Sequence, residues 1–394
     1  MREDPWTQLS LFTLLALAQQ ARSSGSSDPG DAVLLTSGRT LSEFLHYLRD
    51  ERIARYSEAN FAELEVSCRH FDTICNSPTV SDITRGTLGR FVDGLEDLPG
   101  LRKGTKMSPN TIRKHYFAVL GLLKLAIEEG ELAKLPELRS ADLPPPDDRE
   151  PRAIPLAVLG AIYNACSTAT CPQVPGVRPE SWWRALMCYL YYTSVRRGHL
   201  ITTCPDGYVI NGLCWDRIDL ESGLIRAPRA IHKCRRRETH CLPDVLRWHL
   251  ERIRPTRGWA DQMLSICSSD RQRHDTELAG QLVFPWYRVQ GAGRGEACRF
   301  YTKKHLYHCW HAIQRAAGVK PDLEYGYYDF HEVRKSVGTA IADQYDEHVA
   351  AKMLGHSVDV FRKHYDCHAL ERRAAVMNSL PSFIPADQLG GMVG

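Results

Sequence analysis

Three consecutive prolines followed by two aspartates, Pro144-Pro145-Pro146-Asp147-Asp148, constrain this chain more than any other stretch. Proline lacks the amide hydrogen and clashes with the preceding turn, so no helix continues through such a run. The run divides 394 residues into two segments, each long enough to bury its own core. The reading that follows is an N-terminal arm and linker over 1–37, a helical domain over 38–142, a linker over 143–155, a larger domain over 156–380 and a tail over 381–394.

Upstream of the prolines the helical signals are regular. Thr40-Leu41-Ser42-Glu43 has the form of a capping box, and Leu41, Phe44, Leu45 and Leu48 fall on one face behind it. A second stripe runs through Phe61, Leu64, Val66 and Phe71, and a third through Leu88, Phe91, Val92 and Leu95. Ser108-Pro109 opens a fourth helix, serine suiting the cap and proline the first helical position, with Ile112, Tyr116, Val119, Leu120, Leu123 and Ile127 as its apolar side. Four helices in roughly a hundred residues make an all-α domain. Leu9 to Ala18 has the length of a signal-peptide apolar region, but Arg2 is offset by Glu3 and Asp4, so a short helix or arm is expected there. No stretch approaches the roughly 18 apolar residues needed to cross a bilayer, so no membrane partner is expected.

Downstream, helical patterns at Ala157–Ala165 and Trp182–Thr193 give way to short strand signals near Arg217–Leu220, Leu224–Ala227 and Glu238–Leu242. From Pro243 onward the pattern is mostly helical again. The expected fold class is mainly α with a small antiparallel β-sheet. Thirteen cysteines are scattered without any CxxC. Cys166 with Cys171, or Cys234 with Cys241, are conceivable pairs, and His240, His308 and His311 complete no familiar zinc spacing. Buried free thiols in a reducing cytoplasm are the expectation, with no metal site.

The chemistry concentrates in the last fifth of the chain. His331-Glu332-Val333-Arg334 puts a histidine and an arginine on one helical face. Leu354-Gly355-His356 follows, and then Tyr365. Gly355 is placed to end a helix and aim His356. Cations, imidazoles and a phenol without a carboxylate cluster or P-loop suit a phosphodiester. Upstream, Arg196 ends a helix in Thr193-Ser194-Val195-Arg196, and Lys233 lies in His232-Lys233-Cys234-Arg235-Arg236-Arg237. On residue type alone, a lone histidine, tyrosine or basic run is an ordinary structural or solvated feature. The order is what points to a site.

That order, Arg196, Lys233, His331, Arg334, His356, Tyr365, resembles the tyrosine recombinase (phage integrase) family over about 170 residues. One departure is visible: His199 stands where the family usually has an acidic residue after the first arginine. Trp215-Asp216-Arg217-Ile218-Asp219-Leu220 resembles the family's first strand but arrives late, implying an extra loop around Pro205 to Gly212. The resemblance implies an N-terminal core-binding (SAM-like) domain and an α+β catalytic domain. It implies a site-specific recombinase that cleaves and rejoins double-stranded DNA through a 3′-phosphotyrosyl link and a Holliday junction, as a homotetramer on paired sites, without metal, ATP or other cofactor. Tyr365 is then the nucleophile, His331 the first candidate for its base, Arg196 and Arg334 the phosphate clamps, Lys233 the acid for the leaving 5′ oxygen, and His356 a further phosphate donor. Arg102, Lys103, Lys106, Arg113 and Lys114 around the fourth helix, with Arg235, Arg236, Lys303 and Lys304, are candidate DNA contacts. The net charge of +3 neither requires nor excludes such a partner. A nucleoid-associated location follows from the same resemblance. Residues Ala369–Leu380 read as a terminal helix, and Phe383 and Ile384 beyond it as a segment that packs on a neighbouring subunit. The alternatives are a type IB topoisomerase-like enzyme, or an inactive DNA-binding protein of the same fold.

Overall fold

In the computed structural model the described residues run from 38 to 368, apart from 52, 54–55, 57, 101–103, 147–149, 203–211, 228–237, 255–257, 290–297 and 324. The chain forms two compact units, Met1–Arg149 and Glu150–Gly394.

The described part of the first unit holds four α-helices: α1 (Leu41–Asp50), α2 (Glu58–Cys75), α3 (Arg85–Glu96) and α4 (Pro109–Glu128). Thr40 accepts from the Glu43 amide while the Glu43 carboxylate takes the Thr40 amide, closing the expected capping box. Ser108 caps α4 through the Thr111 amide with Pro109 in its first turn. Leu41, Phe44, Leu45 and Leu48 meet Phe71, Phe91, Tyr116 and Leu120 in one apolar core. Val66, expected in the stripe of α2, is 39% exposed: Leu64, Cys68 and Phe71 carry the buried face, and Val66 lies off it.

The second unit is helix-rich around short strands. Helices α5 (Leu156–Ala165) and α6 (Pro179–Thr193) come first. A three-stranded antiparallel sheet follows in the order β2 (Ile218–Asp219), β3 (Leu224–Ala227), β4 (Glu238–Cys241), with Ile225 opposite His240. These are the strands the sequence pattern marked. Four further strands were not marked: β1 (Ile201–Thr202) pairs in parallel with β5 (Phe284–Pro285), and β6 (Tyr287–Arg288) pairs antiparallel with β7 (Arg299–Phe300). Two residues are too few to display the alternation that betrays a strand. Helices α7 (Asp244–Ile253), α8 (Trp259–Leu264), α9 (Asp270–Gln281) and α10 (Lys303–Ala316) complete the body, and α11 (Phe330–Gln344), α12 (Glu347–Leu354) and α13 (Val358–His364) close it.

An aromatic stack ties these helices together. Trp183 of α6 lies parallel to Trp310 of α10 at 5.8 Å between ring centroids, and Trp310 lies on Phe330, the first residue of α11, at 5.0 Å. Such contacts add to the area that the rings already bury. The α11–α13 corner has its own small core of Ala342, Ala350, Ala351, Leu354, Phe361 and Tyr365. Among the described residues, no helix is long and apolar enough to cross a membrane, and all cysteines are free thiols. That set includes Cys166, Cys171 and Cys241, while Cys234 lies outside the described residues.

Candidate active site

Five of the six residues singled out in the sequence meet at one place. Helix α6 ends at Thr193, and Ser194 takes a left-handed conformation with φ +50°, uncommon for a residue with a side chain. That turn leads straight to Arg196. The Ser194 carbonyl accepts from Arg334 Nη1, and the Leu354 carbonyl accepts from Arg334 Nη2. Arg334 is thus pinned between the ends of two helices, with its guanidinium buried. Burial pulls its pKa below the usual arginine range, against the electrostatic support of Tyr365.

Helix α11 begins with a capping box: the Asp329 carboxylate takes the amides of His331 and Glu332 at 2.6 and 3.0 Å, and Glu332 returns to the Asp329 amide at 2.7 Å. Glu332 also receives Arg152 at 2.5 and 3.1 Å. The cap fixes the first turn of the helix that carries both His331 and Arg334. At the other side, Gly355 ends α12 in the left-handed region, φ +66° and ψ +39°, as the sequence reading expected.

His356 is the hub. Its Nε2 lies 3.1 Å from Arg334 Nη2, 3.4 Å from Arg196 Nη2 and 3.0 Å from the Tyr365 hydroxyl. A guanidinium can only donate, so this nitrogen must be the unprotonated one. Burial, then the nearby charges of Arg334 and Arg196, hold the His356 pKa down at about 3. Burial above all brings His331 down to about 4. Both rings are therefore neutral at pH 7.

Tyr365 is 4% exposed and follows α13 directly. Phe361 stacks parallel to it at 6.3 Å, His331 meets it edge-on at 5.4 Å between centroids, and its carbonyl accepts from Thr339 Oγ1 at 2.9 Å. Of the two imidazoles, His356 is the one within hydrogen-bond distance of the phenol, whereas His331, which the sequence reading put first as its base, meets the ring edge-on. Residue spacing cannot distinguish two imidazoles whose order in space is set by the turn at Gly355.

No protein-family model matches the sequence, and no curated protein matches it. Solved structures do. A lambda integrase dimer bound to a COC′ core site superposes with a TM-score of 0.53 at 15% identity, over 88% of this chain and 99% of that one. The Tn1549 transposon integrase in complex with circular intermediate DNA gives 0.53 at 12% identity, over 86% and 99%. A lambda integrase tetramer bound to a Holliday junction gives 0.50 at 15% identity, over 88% and 83%. The chain has the tyrosine recombinase fold.

Within that fold the remaining candidates sort by exposure. Lys233, Arg235 and Arg236 fall between β3 and β4, outside the described residues, as do Arg102 and Lys103. Lys303 and Lys304 are exposed in the first turn of α10. Lys106 and Lys114 are exposed and pair with Asp97 at 3.2 Å and Glu63 at 3.0 Å. Arg113 differs from the expectation of a surface cation: it is 7% exposed, with Nη1 on the Pro144 carbonyl at 3.2 Å. Its long side chain covers apolar surface beside Phe117 and ties α4 to the start of the proline run. His199, in place of the acidic residue, is buried in the one-turn helix Arg197–His199 next to Arg196.

Proposed function

We propose that this protein is a site-specific DNA recombinase that cuts and rejoins strands by transesterification at phosphorus. One observation carries the reading: a single imidazole nitrogen lies within hydrogen-bond distance of a tyrosine hydroxyl and of two arginines. A phosphodiester offers non-bridging oxygens that the arginines would grip in place of His356 Nε2. Its negative charge would also offset the guanidinium charges that, after burial, hold the His356 pKa down. Substrate would thus raise the basicity of the group that must accept the phenol proton.

The step follows from these positions. The Tyr365 oxygen attacks phosphorus as its proton passes to His356, with His331 beside the ring. The P–O5′ bond breaks, and Lys233, in the segment joining β3 to β4, gives the departing oxygen a proton. Arg196 and Arg334 stabilise the charge on the pentacoordinate phosphorus. One phosphodiester is exchanged for another, so the 5′ hydroxyl of a second strand reverses the step without ATP or metal. The lambda integrase structures on a core site and on a Holliday junction support carrying DNA, paired sites and a tetramer over to this chain.

Incubating the full chain with nicked duplexes that lose the 5′ fragment should trap a covalent adduct on Tyr365, identified by peptide mass spectrometry. Tyr365→Phe should form none. Adduct formation by that variant, or relaxation of supercoils without strand exchange between paired sites, would overturn the reading.

A further inference from the structure

Three metal-ligating side chains that the transesterification does not use meet in the second unit. His305 and Cys309 are four apart on α10 and share a face; Cys171 comes from the segment after α5. A sulfur of each cysteine and a ring nitrogen of His305 all lie within 4.8 Å of one another. Cys309 Sγ stands 3.8 Å from His305 Nε2. Zinc bonds of about 2.3 Å to sulfur and about 2.0–2.1 Å to nitrogen give a tetrahedron with edges of roughly 3.6–3.8 Å. No separation would have to close by more than about 1 Å.

Half-buried cysteines often serve only as small apolar side chains. Here the surroundings orient two of the three donors, His305 and Cys171. The His305 ring lies parallel to Tyr301 at 4.3 Å and leans on Trp286 at 5.6 Å. Tyr301 Oη stands 3.6 Å from Cys171 Sγ, placed to hydrogen-bond a thiolate, and the Cys171 carbonyl accepts from Trp183 Nε1 at 2.8 Å. Ligands held this way from behind are characteristic of built metal sites. Two sulfurs and an imidazole select a soft or borderline ion over magnesium or calcium.

We propose that Cys171, His305 and Cys309 bind one Zn2+ ion, with water in the fourth position. The ion would clamp α10 to the Cys171 segment. Cys309 is followed by Trp310, whose indole donates to the Tyr328 carbonyl at 2.7 Å and which lies on Phe330. Gln314 brackets Tyr328 with two further bonds of 2.8 and 3.0 Å. Phe330 begins the helix that carries His331 and Arg334, so the ion would set the footing of the active-site helix without touching substrate.

The test is titration of the full chain, reduced and stripped with chelator, first with Co2+ and then with Zn2+. One equivalent of Co2+ should give tetrahedral visible bands and a thiolate-to-cobalt charge-transfer band, both bleached by one equivalent of Zn2+. Cys309→Ser and His305→Ala should weaken Zn2+ binding by more than about 100-fold, beyond the loss expected for a supporting residue. Cys214→Ser should leave it unchanged. Zinc should raise the Tm of the wild type and leave that of Cys309→Ser where it was. The wild-type spectrum decides the question even if a variant misfolds: no charge-transfer band at stoichiometric cobalt overturns the proposal, as does a band retained in the Cys171→Ser, Cys309→Ser double variant.

Discussion

A guanidinium has no lone pair to offer, so the nitrogen of His356 that faces Arg196 and Arg334 is an acceptor, and the Tyr365 hydroxyl beside it is free to donate to it. His356→Gln tests whether accepting is enough. The amide oxygen can still receive those hydrogen bonds but cannot carry a proton away. Adduct formation should fall by about 10²–10⁴-fold, the range for loss of a general base, with little change in Tm. A loss under about threefold, with a large loss in His331→Gln, would return the base to His331. Stability should follow the same two rings. Folding lowers their pKa values from 6.5 to about 3 and 4, so below about pH 6.5 the unfolded chain takes up protons that the folded one refuses. Their contribution is intact above that pH and is lost progressively as pH falls toward 4 and then 3. Thermal melts between pH 8 and 4 should show this, with a shallower slope for His331→Gln. That these side chains would gather was readable from their order in the chain, Arg196, then His331, Arg334, His356 and Tyr365. Which histidine meets the phenol was not readable, because that depends on where the turn at Gly355 points the chain.

Helices that carry their own punctuation were legible as elements. Thr40 with Glu43, Ser108 with Pro109, and Gly355 each mark an end through a local hydrogen bond or a permitted φ, and local signals are what sequence displays. The left-handed turn at Ser194 was not legible, since serine does not advertise it. Its carbonyl and buried Arg334 hold it instead, 140 residues apart in the chain. Gly338 is a similar case, a glycine in mid-helix whose reason lies in two other helices. A methyl group there would come within 2.6 Å of Leu354 Cδ1 and 3.1 Å of Phe361 Cε2. Those are the side chains on which α12 and α13 close against α11, directly beneath Tyr365. Gly338→Val should therefore cost about 1–3 kcal/mol, the usual penalty of overpacking, and depress adduct formation by shifting the tyrosine away from His356. Gly355→Ala meets nothing within 4 Å and carries only the left-handed backbone cost of about 1–2 kcal/mol. If Gly338→Val melted at the wild-type temperature with full activity, the close approach of these helices would not position Tyr365.

At the scale of the whole molecule, the chain divides into Met1–Arg149 and Glu150–Gly394, each with its own apolar core. The clustered groups Arg196, His331, Arg334, His356 and Tyr365 all belong to the second, so under the proposed function chemistry and DNA grip should be separable. A fragment of residues 150–394 should fold with a cooperative melt and form the Tyr365 adduct on nicked DNA. Its affinity should be lower, because joining two binding bodies makes the second contact intramolecular, an advantage of about 10²–10⁴-fold where the linker permits both at once. If the first unit contacts phosphates as proposed, the dependence of log K on log salt should also flatten in the fragment. Adduct yield against fragment concentration, at two salt concentrations, measures both effects. At saturating DNA the rate should stay within a few-fold of the full chain. A fragment that binds as tightly as the full chain would show that the helical unit contributes nothing to DNA binding. A fragment that folds and saturates but forms no adduct would show that the first unit takes part in assembling the site around Tyr365.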